Sequence, residues 1–233
     1  MTAATTPIPA TSSSVGTLIY FNFRARGEPI RLVAAYAGLI LSQNVFKMSE
    51  WGRIKRSMPK GQVPVLRLPD GALMPEMNDI CKYLALLPSP EGRQLVVDAK
   101  QDSIIRKVNG ALLHSVSHMT NLHPIAHALQ QSDYVREKAT RFLQQFIDLL
   151  GAENFFGGAA PGYGELGLWL LVEDCMLLVP DLLDQQNAGY DRFKQWYARV
   201  ADLPGISEFL ASRPQVGEGT YGTPGSILYS GNQ

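Results

Sequence analysis

The spacing of apolar residues changes at residues 87–93, and this change constrains the fold more than any other feature of the chain. Before it, short apolar runs typical of strands alternate with segments of helical periodicity. After it, apolar residues recur only at helical spacing. The segment itself, LPSPEGR, is rich in proline and turn-forming residues and is interpreted as a linker. The sequence therefore predicts a small α/β domain followed by an all-helical domain.

The predicted elements give boundaries to these two domains. The first third of the chain reads as strand 17–23, helix 28–37 ended by Gly38, strand 44–48, hairpin 63–74 and helix 76–86. Helices are then predicted at about 94–119, 132–150, 165–179, 189–201 and 205–212. The predicted organisation is a flexible tail at 1–16, an α/β domain at 17–86, a linker at 87–93, a helical domain at 94–214 and an irregular tail at 215–233.

Charge and cysteine content limit which binding partners and which cellular compartment are expected. The 233 residues include 21 basic and 21 acidic side chains, so no net field attracts nucleic acid or an anionic membrane surface. No apolar run is long enough to span a bilayer, and the first sixteen residues lack the pattern of a signal peptide. Cys81 and Cys175 are too far apart in sequence for a disulfide framework or a zinc motif. We therefore expect a cytoplasmic protein with neither nucleic-acid nor membrane partners.

The first strand ends at a tyrosine that is followed by two arginines. Tyr20 is predicted at the carboxyl end of this strand, where open α/β sheets bind ligands. Its hydroxyl could donate a hydrogen bond to a thiolate, or it could bond to the backbone, which spacing alone favours. Arg24 and Arg26 could bind an anion, although ion pairs and surface positions are commoner for such residues.

Two further segments of the α/β domain have both a structural and a functional interpretation. Pro64 starts a strand, and a cis bond after Val63 would turn the Val63 backbone outward toward an extended peptide, although a trans bond is commoner. Residues 76–79, Glu-Met-Asn-Asp, begin a helix whose free N–H groups can bind an anion or simply be capped by side chains.

The histidines form the one cluster with metal-ligand spacing. All four lie in one window as two pairs spaced four residues apart: His114 and His118, His123 and His127. Pro124 interrupts the helix between the pairs, and no carboxylate completes a zinc motif. We expect surface or pocket-lining histidines and no metal.

The order of these motifs resembles the cytosolic glutathione transferase family, and its sigma class most of all. The resemblance covers about residues 17–214 and rests on YFNFRARGEPIRL (20–32), Trp51 with Lys55, QVP (62–64), ICKYL (80–84) and, more weakly, VPDLL (179–183). It implies a thioredoxin-like N-terminal domain, an all-helical C-terminal domain and a homodimer. The implied activity is conjugation of glutathione, as cosubstrate, to a small hydrophobic electrophile in detoxification, or a glutathione-dependent isomerisation.

The resemblance also implies roles for individual residues. Tyr20 would hydrogen-bond the glutathione sulfur and Arg26 would support its charge, with the electrophile between Tyr20 and residues 106–118. The remaining contacts with glutathione would come from Trp51 and Lys55 at its glycine end, Gln62, Val63 and cis-Pro64 at its cysteinyl backbone, and Glu76 and Met77 at its γ-glutamyl end.

Three positions depart from the family pattern. Met77 replaces a serine whose hydroxyl would donate to the γ-glutamyl carboxylate, a bond worth about 1.5–3 kcal/mol. No carboxylate aligns well with the family's acidic residue, near whose position the chain has Arg106, Lys107, Asn109 and Gly110. Gly162 replaces a hydroxyl N-cap, at an expected cost of about 1 kcal/mol or less.

These departures leave a second hypothesis beside the enzyme. A noncatalytic member of the family, such as the lens S-crystallins, would keep the fold for binding or structure while its glutathione site weakens. A thioredoxin-type oxidoreductase or a cysteine-type transferase would need a cysteine near the end of the first strand. The chain has Tyr20 and Phe23 in that region, so this third possibility is set aside.

Overall fold

A four-stranded mixed sheet forms the centre of the first domain. The computed structural model describes residues 14–120 and 133–213. Its strands are β1 (Gly16–Phe21), β2 (Leu41–Phe46), β3 (Val65–Arg67) and β4 (Leu73–Pro75), in the order β2-β1-β3-β4. β1 pairs in parallel with β2 and antiparallel with β3, and β3 pairs antiparallel with β4. This is the predicted strand-helix-strand unit followed by a hairpin.

Three helices accompany the sheet: α1 (Glu28–Ala37), the short α2 (Trp51–Ile54) and α3 (Met77–Leu86). Pro29 lies in the first turn of α1, where its missing N–H costs nothing. Gly38 ends α1 with φ +67°, a left-handed conformation that glycine adopts without a side-chain clash. α1 packs against α3, and the buried residues of both helices belong to one hydrophobic core.

The described part of the second domain contains only helices as regular elements. They are α4 (Ala99–Thr120), α5 (Asp133–Leu150), α6 (Tyr163–Leu178), α7 (Ala188–Ala201) and α8 (Ile206–Ser212). α6 is the central helix, since it packs on α4 within its own domain and on α1 of the first domain. Its apolar residues are buried on all sides, which explains why its sequence shows little amphipathic pattern.

These elements confirm the predicted fold class, and the starts of two elements differ from the prediction by three or more residues. β2 begins at Leu41 rather than 44, because this edge strand carries exposed polar residues that hide its pattern. α4 begins at Ala99 rather than 94, since Val96 instead forms a β-bridge with Gly162. No helix in the described ranges combines the length and the apolar character needed to cross a bilayer.

The N-terminus of α6 is capped by a side chain from α4, which corrects the expectation of a missing cap. Gln101 is fully buried, and its Oε1 accepts hydrogen bonds from the backbone N–H groups of Gly164 and Glu165 at 3.1 and 3.2 Å. A Cβ placed on Gly162 would lie 2.0 Å from Cδ of Gln101. Glycine at 162 therefore makes room for a cap that the N-cap residue would otherwise supply.

This arrangement predicts that the usual rule for N-caps reverses at Gly162. We expect Gly162→Ser to lower the free energy of unfolding by about 1–3 kcal/mol, because its side chain would displace Gln101. Gln101→Ala should cost a similar amount by leaving two buried N–H groups unpaired. In the Gln101→Ala background, however, Gly162→Ser should be stabilising, since the hydroxyl gains the vacated place. Urea unfolding of the four proteins measures this coupling, and a stabilising Gly162→Ser in the otherwise unchanged protein would contradict it.

Candidate active site

Strand pairing brings the ends of all four strands to one edge of the sheet. Tyr20 is paired with Val45 of β2, one residue after Ile19 is paired with Val65 of β3. Val65 is in turn paired with Pro75, the last residue of β4. The segments after β2 and β4 therefore start at the edge where Tyr20 lies. The segment before β3 ends at the same edge. α3 also begins here, so its free N–H groups contribute a partial positive charge to this edge.

Tyr20 is held from behind by the turn that carries Arg26. The Arg26 backbone N–H donates a hydrogen bond of 3.2 Å to the Tyr20 hydroxyl. Burial raises the pKa of Tyr20 above its ordinary value, although the nearby Arg26 guanidinium and the Arg26 N–H oppose this shift. The hydroxyl is therefore protonated at neutral pH, and it can donate a hydrogen bond to an anion. The structure brings Tyr20 and Arg26 together as a pair.

Trp51 is linked to Tyr20 through a cluster of aromatic rings. The Trp51 ring makes an edge contact with Phe21 at 5.4 Å between centroids and stacks on Phe46 at 5.9 Å. Phe21 makes an edge contact with the Tyr20 ring at 5.7 Å. These contacts hold the partly buried Trp51 near the carboxyl ends of β1 and β2.

Lys55 and Gln62 lie on the exposed segment between α2 and β3. Both residues are exposed, and Lys55 forms no ion pair with the side chains in the described ranges. The Lys55 Cε lies 3.2 Å from where a Cβ of Gly61 would stand, so the lysine stem folds back toward the residue before Gln62. Two of the residues predicted from the sequence, Lys55 and Gln62, thus lie on the same segment with their polar groups in solvent.

The Val63–Pro64 peptide bond is cis, the geometry that the family resemblance implied and that sequence statistics alone disfavour. Both residues are buried and precede β3 directly. The register of β3 with β1 places them beside Tyr20 at the same edge. A peptide group at this position is available to pair with an extended ligand.

Glu76 has an uncommon backbone conformation at the start of α3. Its φ is +75° and its ψ is 121°, a region that residues other than glycine rarely occupy. Such conformations cost about 1–3 kcal/mol and cluster at ligand-binding positions. The Glu76 carboxylate lies 3.8 Å from Lys60 Nζ, and because both side chains are exposed this pair contributes little. The carboxylate could therefore exchange this lysine for a ligand amine.

Met77 is the first residue of α3, and its side chain is almost completely buried. It belongs to the core of the domain and offers no hydrogen-bond donor. At residue 77 only the backbone N–H remains to bind an anion.

Arg24 has a structural partner that sequence reasoning missed. Arg24 is buried, and its Nη1 donates a hydrogen bond of 3.0 Å to Glu173 of α6. This agrees with the commoner interpretation of that arginine as an ion-pair residue. The available signal was the acidic pair Glu173–Asp174 in the middle of a mostly apolar helix.

The proposed electrophile region and the histidine window are only partly covered by the structure. α4 packs against the turn Ala25–Gly27, and a Cβ on Gly110 would meet no atom within 4 Å. The side chains of 113–120 and the whole of 121–132, which carry the four histidines, lie outside the described residues. Within the described ranges, no three His, Cys, Asp or Glu side chains are grouped to hold a metal ion.

The two cysteines lie in helices rather than at the end of β1. Cys81 is buried in α3, and Cys175 lies in α6. Burial raises the pKa of Cys81 well above its ordinary value and that of Cys175 to about 12. Neither thiol is therefore a nucleophile at neutral pH.

Comparison with known proteins shows which family this chain is similar to. Residues 115–213 match the family model "Glutathione S-transferase, C-terminal domain". The predicted resemblance to glutathione transferases is thereby confirmed.

The matches with individual relatives cover almost the whole length of each relative. The chain is 28% identical to hematopoietic prostaglandin D synthase of Gallus gallus and 26% identical to glutathione S-transferase 1 of Ascaris suum, each over 85% of this chain and 96% of the relative. It is also 26% identical to S-crystallin SL20-1 of Nototodarus sloanii, over 84% and 96%. Among solved structures, the rat hPGDS complexed with a quinoline is similar with a TM-score of 0.66 at 24% identity, covering 85% of this chain and 97% of that chain. This likeness to a solved structure shows the fold.

Proposed function

We propose that the protein is a glutathione transferase that uses Tyr20 to stabilise the glutathione thiolate. The observation that carries this proposal is the protonated Tyr20 hydroxyl at the sheet edge, fixed by the Arg26 N–H. A free thiol has a pKa of about 8.5, so only a few per cent is ionised at pH 7. A hydrogen bond from Tyr20 to the sulfur would favour the ionised form, and the Arg26 charge would add to this effect. The relatives support conjugation or isomerisation with glutathione.

The other residues at this edge would bind the tripeptide. Lys55 and Trp51 would bind its glycine end, and the Val63 backbone beside cis-Pro64, with Gln62, would pair with its cysteinyl unit. Glu76 and the backbone N–H of Met77 would bind its γ-glutamyl end.

The reaction itself joins two small molecules. The thiolate sulfur forms a bond to an electrophilic carbon of a small hydrophobic substrate, and a leaving group departs with the electron pair or a conjugated bond accepts it. The proposed substrate position lies between Tyr20 and α4. In an isomerisation the same sulfur would add and later leave, so glutathione is regenerated. We further propose a cytoplasmic homodimer that acts in detoxification, in keeping with the family resemblance.

One specific observation favours the noncatalytic alternative. Met77 is a buried core residue rather than a hydroxyl donor, and an S-crystallin is among the relatives. A binding or structural protein with a weakened glutathione site is therefore the second candidate function.

Tyr20→Phe and Lys55→Ala are expected to have separable effects on turnover and binding. With a chloronitrobenzene as electrophile, Tyr20→Phe should lower kcat about 10- to 100-fold and leave the glutathione KM nearly unchanged, since only the thiolate loses a bond. Lys55→Ala should raise the glutathione KM about tenfold and leave kcat nearly unchanged. Steady-state kinetics measure both effects. Tyr36→Phe is the matched control because it removes a hydroxyl elsewhere in the same domain. Unaltered kinetics in both site variants would refute the assignment.

A further inference from the structure

The turn that supports Tyr20 is itself strained and closely packed. It is a single 3-10 turn, Ala25–Gly27, and Ala25 adopts a φ of +35° that residues other than glycine rarely take. A Cβ on Gly27 would lie 2.3 Å from Cδ1 of Tyr20, so the backbone of the turn rests directly on the tyrosine ring. The Arg26 N–H in the middle of this turn reaches the Tyr20 hydroxyl. A small movement of the turn would therefore change the position of that hydroxyl.

Buried ion pairs anchor this turn at its first end. Arg24 directly precedes the turn, and its Nη1 binds Oε2 of Glu173 at 3.0 Å. The other oxygen of Glu173 accepts a hydrogen bond from Nη2 of Arg213, which follows α8. Arg24 and Arg213 are both buried, whereas Glu173 is one-fifth exposed. Glu173 thus joins two arginines from opposite ends of the described chain.

The second end of the turn is anchored by the same group of charges. Glu28, which follows the turn, is fully buried and accepts from Arg213 Nη1 at 3.2 Å and from Arg31 Nη1 at 3.0 Å. Arg31 Nη1 also donates to the carbonyl oxygen of Phe23 at 3.2 Å. Charge-assisted bonds of this kind are short and directional, and buried ones rigidify what they connect. The helical domain therefore holds Arg24 and Glu28, which lie on either side of the turn.

We propose that Glu173 is a positioning residue for the Tyr20 site, acting from the helical domain through Arg24 on the turn 25–27. Glu173 does not touch the tyrosine or the proposed sulfur position. Its carboxylate fixes Arg24, Arg24 fixes the turn, and the turn presents the Arg26 N–H to the Tyr20 hydroxyl. The inference rests on the proposed function for its catalytic consequence, whereas the anchoring itself is independent of that function.

The anchoring is tested first in the ligand-free, full-length protein by hydrogen–deuterium exchange. In Glu173→Gln, the amides of residues 24–28 should exchange about tenfold faster than in the unchanged protein, because Arg24 and Arg213 lose a charged partner. The matched control is Asp102→Asn, which removes the 2.9 Å ion pair between Lys82 of α3 and Asp102 of α4 and alters the hydrogen bond that Asp102 accepts from the Tyr163 hydroxyl of α6. That variant also breaks a contact between two helices, and it should leave the exchange of 24–28 unchanged. Equal exchange in Glu173→Gln and the unchanged protein would overturn the proposal.

The catalytic consequence is tested by kinetics and by the absorbance of bound thiolate. Glu173→Gln should lower kcat about tenfold or more and change the glutathione KM less than about threefold, since the tripeptide contacts lie outside the network. The pKa of the bound glutathione thiol, titrated by its ultraviolet absorbance, should rise toward that of free glutathione. Arg24→Gln should have the same effect, and the double variant should lose no more than either single variant.

The outcomes separate this inference from the proposed function. An unchanged protein that neither binds nor activates glutathione refutes the proposed function, and exchange alone then decides whether the turn is anchored. An active protein in which Glu173→Gln keeps its kcat and its thiol pKa refutes the positioning role while the function stands. If Glu173→Gln does not fold, Arg213→Lys replaces it, because a lysine cannot bridge Glu173 and Glu28 with the two-pronged geometry of arginine. Arg213→Lys should also speed the exchange of residues 24–28 and lower kcat, by smaller factors than Glu173→Gln. Unaltered exchange and kcat in Arg213→Lys would again refute the proposal.

Discussion

Met77→Ser is expected to tighten glutathione binding about 10- to 100-fold while it destabilises the fold. A serine hydroxyl at the first position of α3 would donate to the γ-glutamyl carboxylate, and such a bond to a charged group is worth about 1.5–3 kcal/mol. The backbone N–H and the helix dipole already favour an anion there, so the hydroxyl adds to an existing site. Calorimetric titration of glutathione into both proteins measures the change.

The same substitution removes a buried side chain from the core. Met77 is 1% exposed, and truncation of a buried methionine typically costs about 2–5 kcal/mol. We therefore expect the free energy of unfolding of Met77→Ser, measured in urea, to fall by an amount in this range. In this chain methionine supplies packing at the expense of the hydroxyl.

Met77→Ala separates the two effects because it creates the same cavity without a hydroxyl. It should match Met77→Ser in its loss of stability and match the unchanged protein in its affinity for glutathione. Equal affinities of the alanine and serine variants would show that a hydroxyl at residue 77 does not contact the γ-glutamyl end. Absence of binding in the unchanged protein at millimolar glutathione, with binding restored by serine alone, would favour the noncatalytic alternative.

The layout of the fold could be predicted from the sequence because each domain has a consistent apolar pattern. β1 is buried on both faces, and α1 has its proline and its glycine at the positions that begin and end helices. The start of β2 is harder to predict, since an exposed edge strand with Ser42, Gln43 and Asn44 lacks alternating apolar residues. The start of α4 was misjudged because a β-bridge at Val96 is a long-range contact that local pattern does not encode.

Contacts between residues far apart in sequence also explain which parts of the candidate site could not be predicted. Tyr20 could be proposed because its position at a strand end carries information by itself. The partner of Arg24 could not be found, since Glu173 is 149 residues away and nothing local links the two. The cap from Gln101 was missed for the same reason: a glycine at 162 reads as a lost N-cap until its spatial neighbour is known.

Asp174→Asn is expected to abolish much of the pH dependence of stability. Asp174 is buried in α6, and no hydrogen bond satisfies its Oδ1 among the described residues. Its pKa is raised to about 8, chiefly by burial; Glu173 and Glu28 contribute to this rise, and Arg24 and Arg213 oppose it. In the unfolded chain the same carboxyl has an ordinary pKa near 4.

The sign of the effect follows from which state binds the proton. Between about pH 4 and pH 8 the folded protein keeps Asp174 protonated while the unfolded chain has released the proton, so the free energy of unfolding falls as the pH rises. The slope from this group is about 1.4 kcal/mol per pH unit. Asp174→Asn removes the titrating group, so the variant should gain stability relative to the unchanged protein by several kcal/mol between pH 5 and pH 8.

Urea unfolding at several pH values between 5 and 8 measures this prediction, with Asp148→Asn as the matched control because Asp148 is exposed on α5. The control should keep the slope of the unchanged protein. A smaller slope should persist in Asp174→Asn below about pH 7, since burial also raises the pKa of Glu165 to about 7 and the sign is the same. If Asp174→Asn instead retained the full slope up to pH 8, the proton would belong to another group.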